Sequence, residues 1–319
     1  MEHHSQSADP LRNLSEHEIR LLRECYGRGL PGTLAPYLFI DNHLKWCDKI
    51  RNVSVDGSST EEWTIAASLR LQFYTLLDAD LKDLTTTGTF VAVTEAEKNP
   101  VVTFWTLRED LSQLQSALFE TAWIDWRKDP AFSCVALEHY SMLQAVVQKK
   151  APHLEFRNST FFRLPREEAK KMLVSVPEGY EILPLDAKHA HLINATWPHR
   201  YEGSEHYYRS LLQLNGGLAL VTGEKRDQLA GWVLTNEYGA VAHLYIQPDH
   251  RQRGLASVLV KAWVTQMVAT WEMTGDEIEG SEVIAYILDV NHASRTLFQK
   301  LGFIEMSKSR WSNPTNKVQ

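Results

Sequence analysis

The sequence is poor in cysteine, short of positive charge and free of long apolar runs, and each shortage removes a class of function. Its 319 residues include three cysteines, Cys25, Cys47 and Cys134. An odd, scattered set with no Cys-x-x-Cys pair does not read as a disulfide framework and fits a reducing compartment. Lys and Arg number 33 against 40 Asp and Glu, a formal net charge of −7. The basic face that a nucleic-acid or anionic-membrane binder needs is therefore not expected. No apolar stretch approaches the roughly 18 residues of a membrane span. Glycine and proline are modest at 16 and 12, too few for a low-complexity or collagen-like chain. Met1-Glu2-His3-His4 runs into Asp9, Glu16 and Glu18 without an apolar segment, so neither a signal peptide nor an acid-poor transit peptide is expected. The Asn-x-Ser/Thr triplets at Asn13, Asn52, Asn158 and Asn194 then carry no glycosylation, and the expected compartment is the cytoplasm.

What is present is ordinary folded-protein material: 44% hydrophobic and 23% charged residues, in a length that suits two domains. Ser15 with Glu18 reads as a capping box opening a helix over 15–26, with Ile19, Leu22, Cys25 and Tyr26 on one face. Gly27-Arg28-Gly29-Leu30-Pro31-Gly32 spells a dinucleotide fingerprint, but it follows a helix and leads into 33–40, which reads as a strand. That is the wrong order for a nucleotide loop, so a helix C-cap is the better reading. A helical pattern spans 63–84, strands are expected at 89–94, 101–106 and 155–164, and amphipathic helices at 111–123 and 138–148. The result is a mixed α/β half with no polar cluster that demands a catalytic reading.

After a short helix at 166–174, Pro177-Glu178-Gly179 punctuates the chain, and the domain boundary is placed there, giving 1–176 and 177–319. Beyond it, a strand at 181–185 leads to a helix that Asp186 can cap and that ends before Pro198. A helix at 205–214, strands at 218–222, 229–236 and 240–247, a long helix at 255–271, a strand at 283–290, a helix at 294–301 and a strand at 304–311 complete the order. At 244–256 a strand breaks at Pro248, crosses a basic loop and enters the long helix through Arg253-Gly254-Leu255-Ala256. Unpaired N–H groups at a helix N-terminus, flanked by Arg251 and Arg253 and kept open by small residues, form a cradle for a pyrophosphate. An ordinary strand–turn–helix with a solvated basic turn fits the same residues.

A second segment, Asp289-Val290-Asn291-His292-Ala293-Ser294-Arg295-Thr296-Leu297-Phe298-Gln299-Lys300-Leu301-Gly302-Phe303, follows a buried-type strand. Together, Arg-x-x-Gly-x-Ala and Asn-x-x-Ser-x-x-Leu-Phe-x-Lys-x-Gly-Phe resemble the two signatures of the GCN5-related N-acyltransferase (GNAT) superfamily. The stretch 186–197 is similar to the corresponding helix of the glycine N-acyltransferase-like family. The resemblance implies a GNAT-type mixed, mostly antiparallel sheet flanked by helices in the C-terminal half. A second α/β half precedes it, a related fold being one reading of that half. It further implies an acyltransferase that uses acyl-CoA or acetyl-CoA as co-substrate, with no metal, and moves the acyl group to a small amine such as glycine or another amino acid. No nucleic-acid or membrane partner is implied. The family resemblance admits a mitochondrial location, although no transit peptide is apparent. Backbone amides at Leu244, Tyr245 and Ile246 would bind pantetheine, and one of them would stabilise the oxyanion. Arg251, Gln252, Arg253, Gly254, Leu255, Ala256 and Ser257 would hold the pyrophosphate, with Asn291, Ser294 and Phe298 along the second segment.

Two positions depart from the family pattern. Phe298 stands where many members carry a tyrosine that protonates the leaving thiolate, and Ala240 where some carry a glutamate base. Phenylalanine donates no proton. Substitute bases are Glu237 and His243, on or beside the central strand, with His199, Glu202 and His206 around the polar loop. Trp197, Tyr201, Tyr207 and Tyr208 either wall an acceptor pocket or simply pack. The alternative to an enzyme is a non-catalytic acyl-CoA-binding or sensing protein that keeps the cradle without the proton chemistry.

Overall fold

The computed structural model describes residues 8–55, 71–94, 99–223, 228–274 and 282–312. The chain divides into two compact units: one from Met1–Arg28, Leu71–Arg157 and Ser309–Thr315, the other from Gly29–Arg70, Asn158–Lys308 and Asn316–Gln319. The expected boundary at 176/177 falls inside the second unit. The segment just before it belongs there because Ser159–Leu164 pairs residue for residue with Val283–Leu288.

The first unit carries a five-stranded sheet in the order β1 (Leu11–Asn13), β2 (Leu71–Leu76), β3 (Phe90–Thr94), β4 (Val101–Trp105), β5 (Ala131–Phe132). All neighbours are antiparallel except β4 and β5, which run parallel at Val101↔Ala131 and Val102↔Phe132. The short β6 (Val135–Ala136) pairs with Arg310 and Ser309 from the end of the chain. The helices Ser112–Glu120 and Leu137–Lys150 bring Leu118, Leu143 and Val146 onto Val91, Val102 and Phe104 to form one core. The helix Glu16–Gly27 forms as its capping box requires: Ser15 Oγ accepts from the Glu18 N–H, and the Glu18 carboxylate accepts from the Ser15 N–H at 2.8 Å. Ile19, Leu22, Cys25 and Tyr26 are its buried face.

Two sequence expectations fail in this part of the chain. Residues 33–40, read as a strand, begin the helix Leu34–Val55. Leu34, Tyr37, Phe39 and Ile40 are all buried, and an apolar run buried on most sides has no periodicity that separates helix from strand. Pro36 is tolerated because a first-turn N–H has no partner within the helix. The helical pattern expected at 63–84 gives way to β2 at Leu71–Leu76 and a helix at Leu81–Thr86, and its remainder lies outside the described residues.

The second unit holds the helix Leu34–Val55, and its strands begin with β7 (Phe156–Leu164), most of which belongs to it, and β8 (Tyr180–Pro184). It continues with β9 (Gly217–Thr222), β10 (Gln228–Thr235), β11 (Val241–Ile246), β12 (Val283–Leu288) and the first part of β13 (Ile304–Ser312). Strands β11, β10, β9 and β8 form an antiparallel sheet in that order. Alternation sorts its side chains: Leu218, Leu220 and Val233 join Leu259, Val260 and Val264 of the helix Leu255–Thr274 on one face. Ala219, Val221, Trp232 and Leu234 join Tyr208, Leu211 and Leu212 of the helix Ser204–Leu214 on the other. Each fully buried large side chain contributes about 1.5–3 kcal/mol, so the two helices hold this sheet from both sides. Asn215 ties the arrangement together, accepting from Trp46 Nε1 at 2.6 Å and donating to the carbonyls of Thr235 and Asn236. Among the described residues no helix is long and apolar enough to cross a membrane.

Candidate functional site

Strand β11 is the edge of its sheet, paired with β10 alone. It lies next to β12, an edge of another sheet, without pairing to it. Its register slips between Trp232↔Tyr245 and Leu234↔Ala242, so two residues of β11 oppose one of β10. The bulge falls on His243, whose φ of 52° is left-handed, an arrangement that re-aims a side chain and turns backbone groups away from the ladder. Close approach of β10 depends on Gly231: a Cβ there would sit 2.6 Å from the Tyr245 carbonyl oxygen and 2.6 Å from Ile246 Cδ1.

After Gln247 the chain crosses a 3₁₀ turn, Pro248–His250, and enters the long helix at Leu255. Gln252 and Gly254 both have positive φ, 61° and 73°, and the space around a Gly254 Cβ is open. This takes the loop out of helical geometry just before the helix begins. Among the described residues, the first backbone donors to find a carbonyl after Arg251 are Ser257 and Val258, both on the Gly254 oxygen. The loop walls a cavity of about 270 Å³ formed by Ile246, His250, Arg251, Gln252, Gly254, Leu255, Ala256, Ser257 and Leu297. Arg251 Nε donates to the Ile246 carbonyl at 2.9 Å and its guanidinium lies over the Tyr245 ring. Arg253 Nη1 donates to Tyr180 Oη at 3.1 Å, and Tyr180 Oη is 2.9 Å from His250 Nδ1. Tyr180 lies on a different strand and His250 on the polar turn, so no local pattern singles them out.

The second segment is placed as follows. Asn291 caps the helix His292–Lys300, its Oδ1 accepting from the Ser294 N–H at 3.1 Å. Phe298 is 4% exposed and sits in the core, its ring edge-on to Phe303 at 4.8 Å. Its neighbour Leu297 is the residue of this helix that reaches the cavity. Leu244 packs into the core under the long helix, and Tyr245 stacks on Trp232 at 4.8 Å on the opposite face.

On that opposite face a group of aromatic and titratable side chains gathers at the bulge. Tyr208 Oη is 2.9 Å from His243 Nδ1, and Tyr207 donates to Glu237 Oε2 at 2.6 Å. Trp197 lies within 6.1 Å of the rings of His199, Tyr201, Tyr207, Tyr208 and His243. Glu237 belongs to the turn between β10 and β11, which Asn236 braces by accepting from the Tyr238 and Ala240 N–H groups. Ala240 itself is fully buried there. Burial pushes the Glu237 carboxyl above the usual glutamate value, partly offset by the Tyr207 hydroxyl. Burial pushes His243 down to about 4, and the neighbouring His199 acts in the same direction. His243 is therefore neutral at pH 7, while burial shifts the Glu237 carboxyl toward a better base. Of the polar-loop candidates, Glu202 and His206 are exposed, and the helix registers alone had not distinguished packing from pocket for the two tyrosines.

Residues 217–312 match the family described as FR47-like protein, and residues 10–146 match a family described as a domain of unknown function, DUF5645. A Drosophila protein of known structure superposes with a TM-score of 0.84 at 24% identity, covering 97% of this chain and 99% of its own. A tandem GNAT protein from the clavulanic acid biosynthesis pathway superposes with a TM-score of 0.54 at 10% identity, covering 97% of this chain and 99% of its own. The chain has the GNAT fold. It has two GNAT-like halves, and the FR47-like match covers the second, from β9 to β13, where the cradle and the bulge lie. These likenesses are likenesses of fold. No curated protein matches the sequence.

Proposed function

We propose that this protein is an acyl-CoA-dependent N-acyltransferase whose GNAT-fold second half binds the donor and acylates a small amine. The observation that carries the reading is the loop at 251–256: N–H groups from Gln252 to Ala256 with no acceptor among the described residues, at the start of a long helix, beside two arginines and a cavity, next to the unpaired edge of β11. Such a loop suits a pyrophosphate, because the amides and the helix dipole both favour negative charge. The free edge of β11 suits the amide-bearing pantetheine arm, which would add to it as a strand adds to a sheet.

In the proposed reaction the ammonium gives one proton to Glu237 and the free amine attacks the thioester carbonyl. A β11 amide past the bulge holds the oxyanion, collapse breaks the C–S bond, and the departing thiolate takes up the second proton from the nitrogen. A thiolate leaves without prior protonation, so a phenylalanine at position 298 is compatible with turnover. The resemblance to the glycine N-acyltransferase-like family names glycine or another amino acid as the acceptor. A second reading, an acyl-CoA sensor, draws on Phe298 in the core and Ala240 sealed in its turn.

The test is calorimetric titration with acetyl-, butyryl-, benzoyl- and palmitoyl-CoA, followed by thiol release in the presence of amine pools. Binding with acceptor-dependent release supports the transferase; binding without release favours the sensor; no binding sinks both. Arg253→Glu should weaken CoA binding several-fold by exchanging attraction for repulsion at the loop.

A further inference from the structure

The acyltransferase reading leaves the acceptor as any small amine; the side chains at the bulge narrow it. From Glu237, Trp197, Tyr201, Tyr207, Tyr208 and His243 we infer that the acceptor is an aromatic or otherwise apolar amine lacking a carboxylate, taken up as its ammonium ion. This rests on the reading of the second half as an acyltransferase and departs from the amino-acid acceptor that family resemblance names.

The argument is one of charge and surface. Glu237 is a half-buried carboxylate whose partners among the described residues are neutral donors, the Tyr207 hydroxyl at 2.6 Å and its own backbone N–H. A carboxylate partly withdrawn from water and left without a cation favours a ligand that brings one. The rings around it, Trp197, Tyr201, Tyr207 and Tyr208, offer apolar area and faces that attract a cation. Tyr207 joins the two features, since it both donates to Glu237 and lies near-parallel to Trp197, 6.1 Å away at an interplanar angle of 20°.

An amino acid would bring a carboxylate of its own, and among the described residues the cluster itself holds no guanidinium or ammonium to receive it. Arg209 pairs with Glu205 at 2.8 Å, Arg200 donates to the Ala195 carbonyl, and Lys49 donates to the carbonyls of Gln213 and Leu214. Among the described residues, no Lys or Arg acts electrostatically on Glu237, His243, Tyr201, Tyr207 or Tyr208. His199, beside His243, is the one group of the cluster besides His243 able to gain positive charge, and it sits against the Trp197 ring edge. A second carboxylate next to Glu237 would meet repulsion that a half-buried site screens only in part. The same carboxylate that holds the ammonium then accepts its proton, leaving the free amine to attack.

Phenethylamine and phenylalanine differ by that one carboxylate, as do tryptamine and tryptophan, and binding can be read without turnover. The full chain, saturated with CoA where it binds, would be titrated with each by calorimetry. The expected result is at least tenfold tighter binding of each amine than of its amino acid, with the preference largely lost in Glu237→Gln. Equal affinities, a preference for the amino acids or glycine, or binding of neither class would overturn the inference. The CoA titration in the same samples reports on the cradle separately: CoA binding with no amine preference rejects the acceptor assignment alone. Amine binding without CoA binding rejects the acyltransferase reading instead.

Discussion

The two halves of this chain present the same junction, a sheet strand that runs into a loop and then a helix, and they finish it in opposite ways. In the first unit, β4 is paired on one side with β3 and on the other with β5. Its loop carries Glu109 and Asp110, and Asp110 Oδ1 already accepts from the Ser112 N–H at the start of the next helix. That hydrogen bond holds the Asp110 carboxyl below its usual value, so the protein's own charge occupies the place where a phosphate would sit. Arg108 is spent on Asp83 and Gln113. In the second unit, β11 keeps one edge unpaired, its loop is basic, and five amides from Gln252 to Ala256 have no acceptor among the described residues. A shared fold therefore does not imply a shared site: function follows from what stands at the helix start.

The sharpest contrast lies in proton chemistry, which the account confines to the second half. Glu237→Gln should lower acyl transfer by roughly 100-fold while CoA affinity holds, the usual scale for losing a general base. Because burial raises the Glu237 carboxyl, its base form disappears as pH falls through a value above that of ordinary glutamate. The acid limb of kcat/KM should lie there in the parent protein and vanish in the variant. A rate profile unchanged by the substitution would remove Glu237 from the mechanism.

Next in size is the donor site itself. Gly254→Val places a β-branched residue at φ 73°, a conformation such residues resist, and should weaken CoA binding by roughly tenfold or more as the amides turn away. Asp110→Asn in the first half should leave CoA affinity unchanged. If Asp110→Asn alters it as much as Gly254→Val does, the asymmetry between the halves fails.

Smaller effects should divide between stability and turnover. Phe298→Tyr adds a hydroxyl in the core beside Phe303, so thermal unfolding should report a loss of about 1–2 kcal/mol with turnover little changed; a clear gain in rate would mean the ring reaches the leaving group. Ser15→Ala, which removes the cap of the first helix, should cost about 1 kcal/mol and leave the CoA titration as it was.

The sequence made these elements legible to different degrees, for physical reasons. Ser15 and Glu18 marked a helix start because a capping box is local chemistry between residues three apart. The cradle was readable for the same reason, since its proline, glycine and arginines sit within one short stretch. The helix at Leu34–Val55 was misread because burial on most sides erases the polar face that gives a helix its period. The bulge at His243 depends on the register of two strands, and the pairing of Tyr207 with Glu237 joins residues 30 apart in sequence. Glu237 and His243 could be named as bases, whereas their partners depend on how a helix rests against a strand. The short strands β1, β5 and β6, of two or three residues, were too brief to leave a pattern.

The central claim is that one half of this two-part fold binds acyl-CoA and the other does not. Calorimetric titration of the full chain with acetyl-CoA, alongside Gly254→Val, tests it directly. The account predicts one site per chain, weakened by the substitution in the second half. Two sites per chain, or a single site indifferent to Gly254→Val, would contradict it.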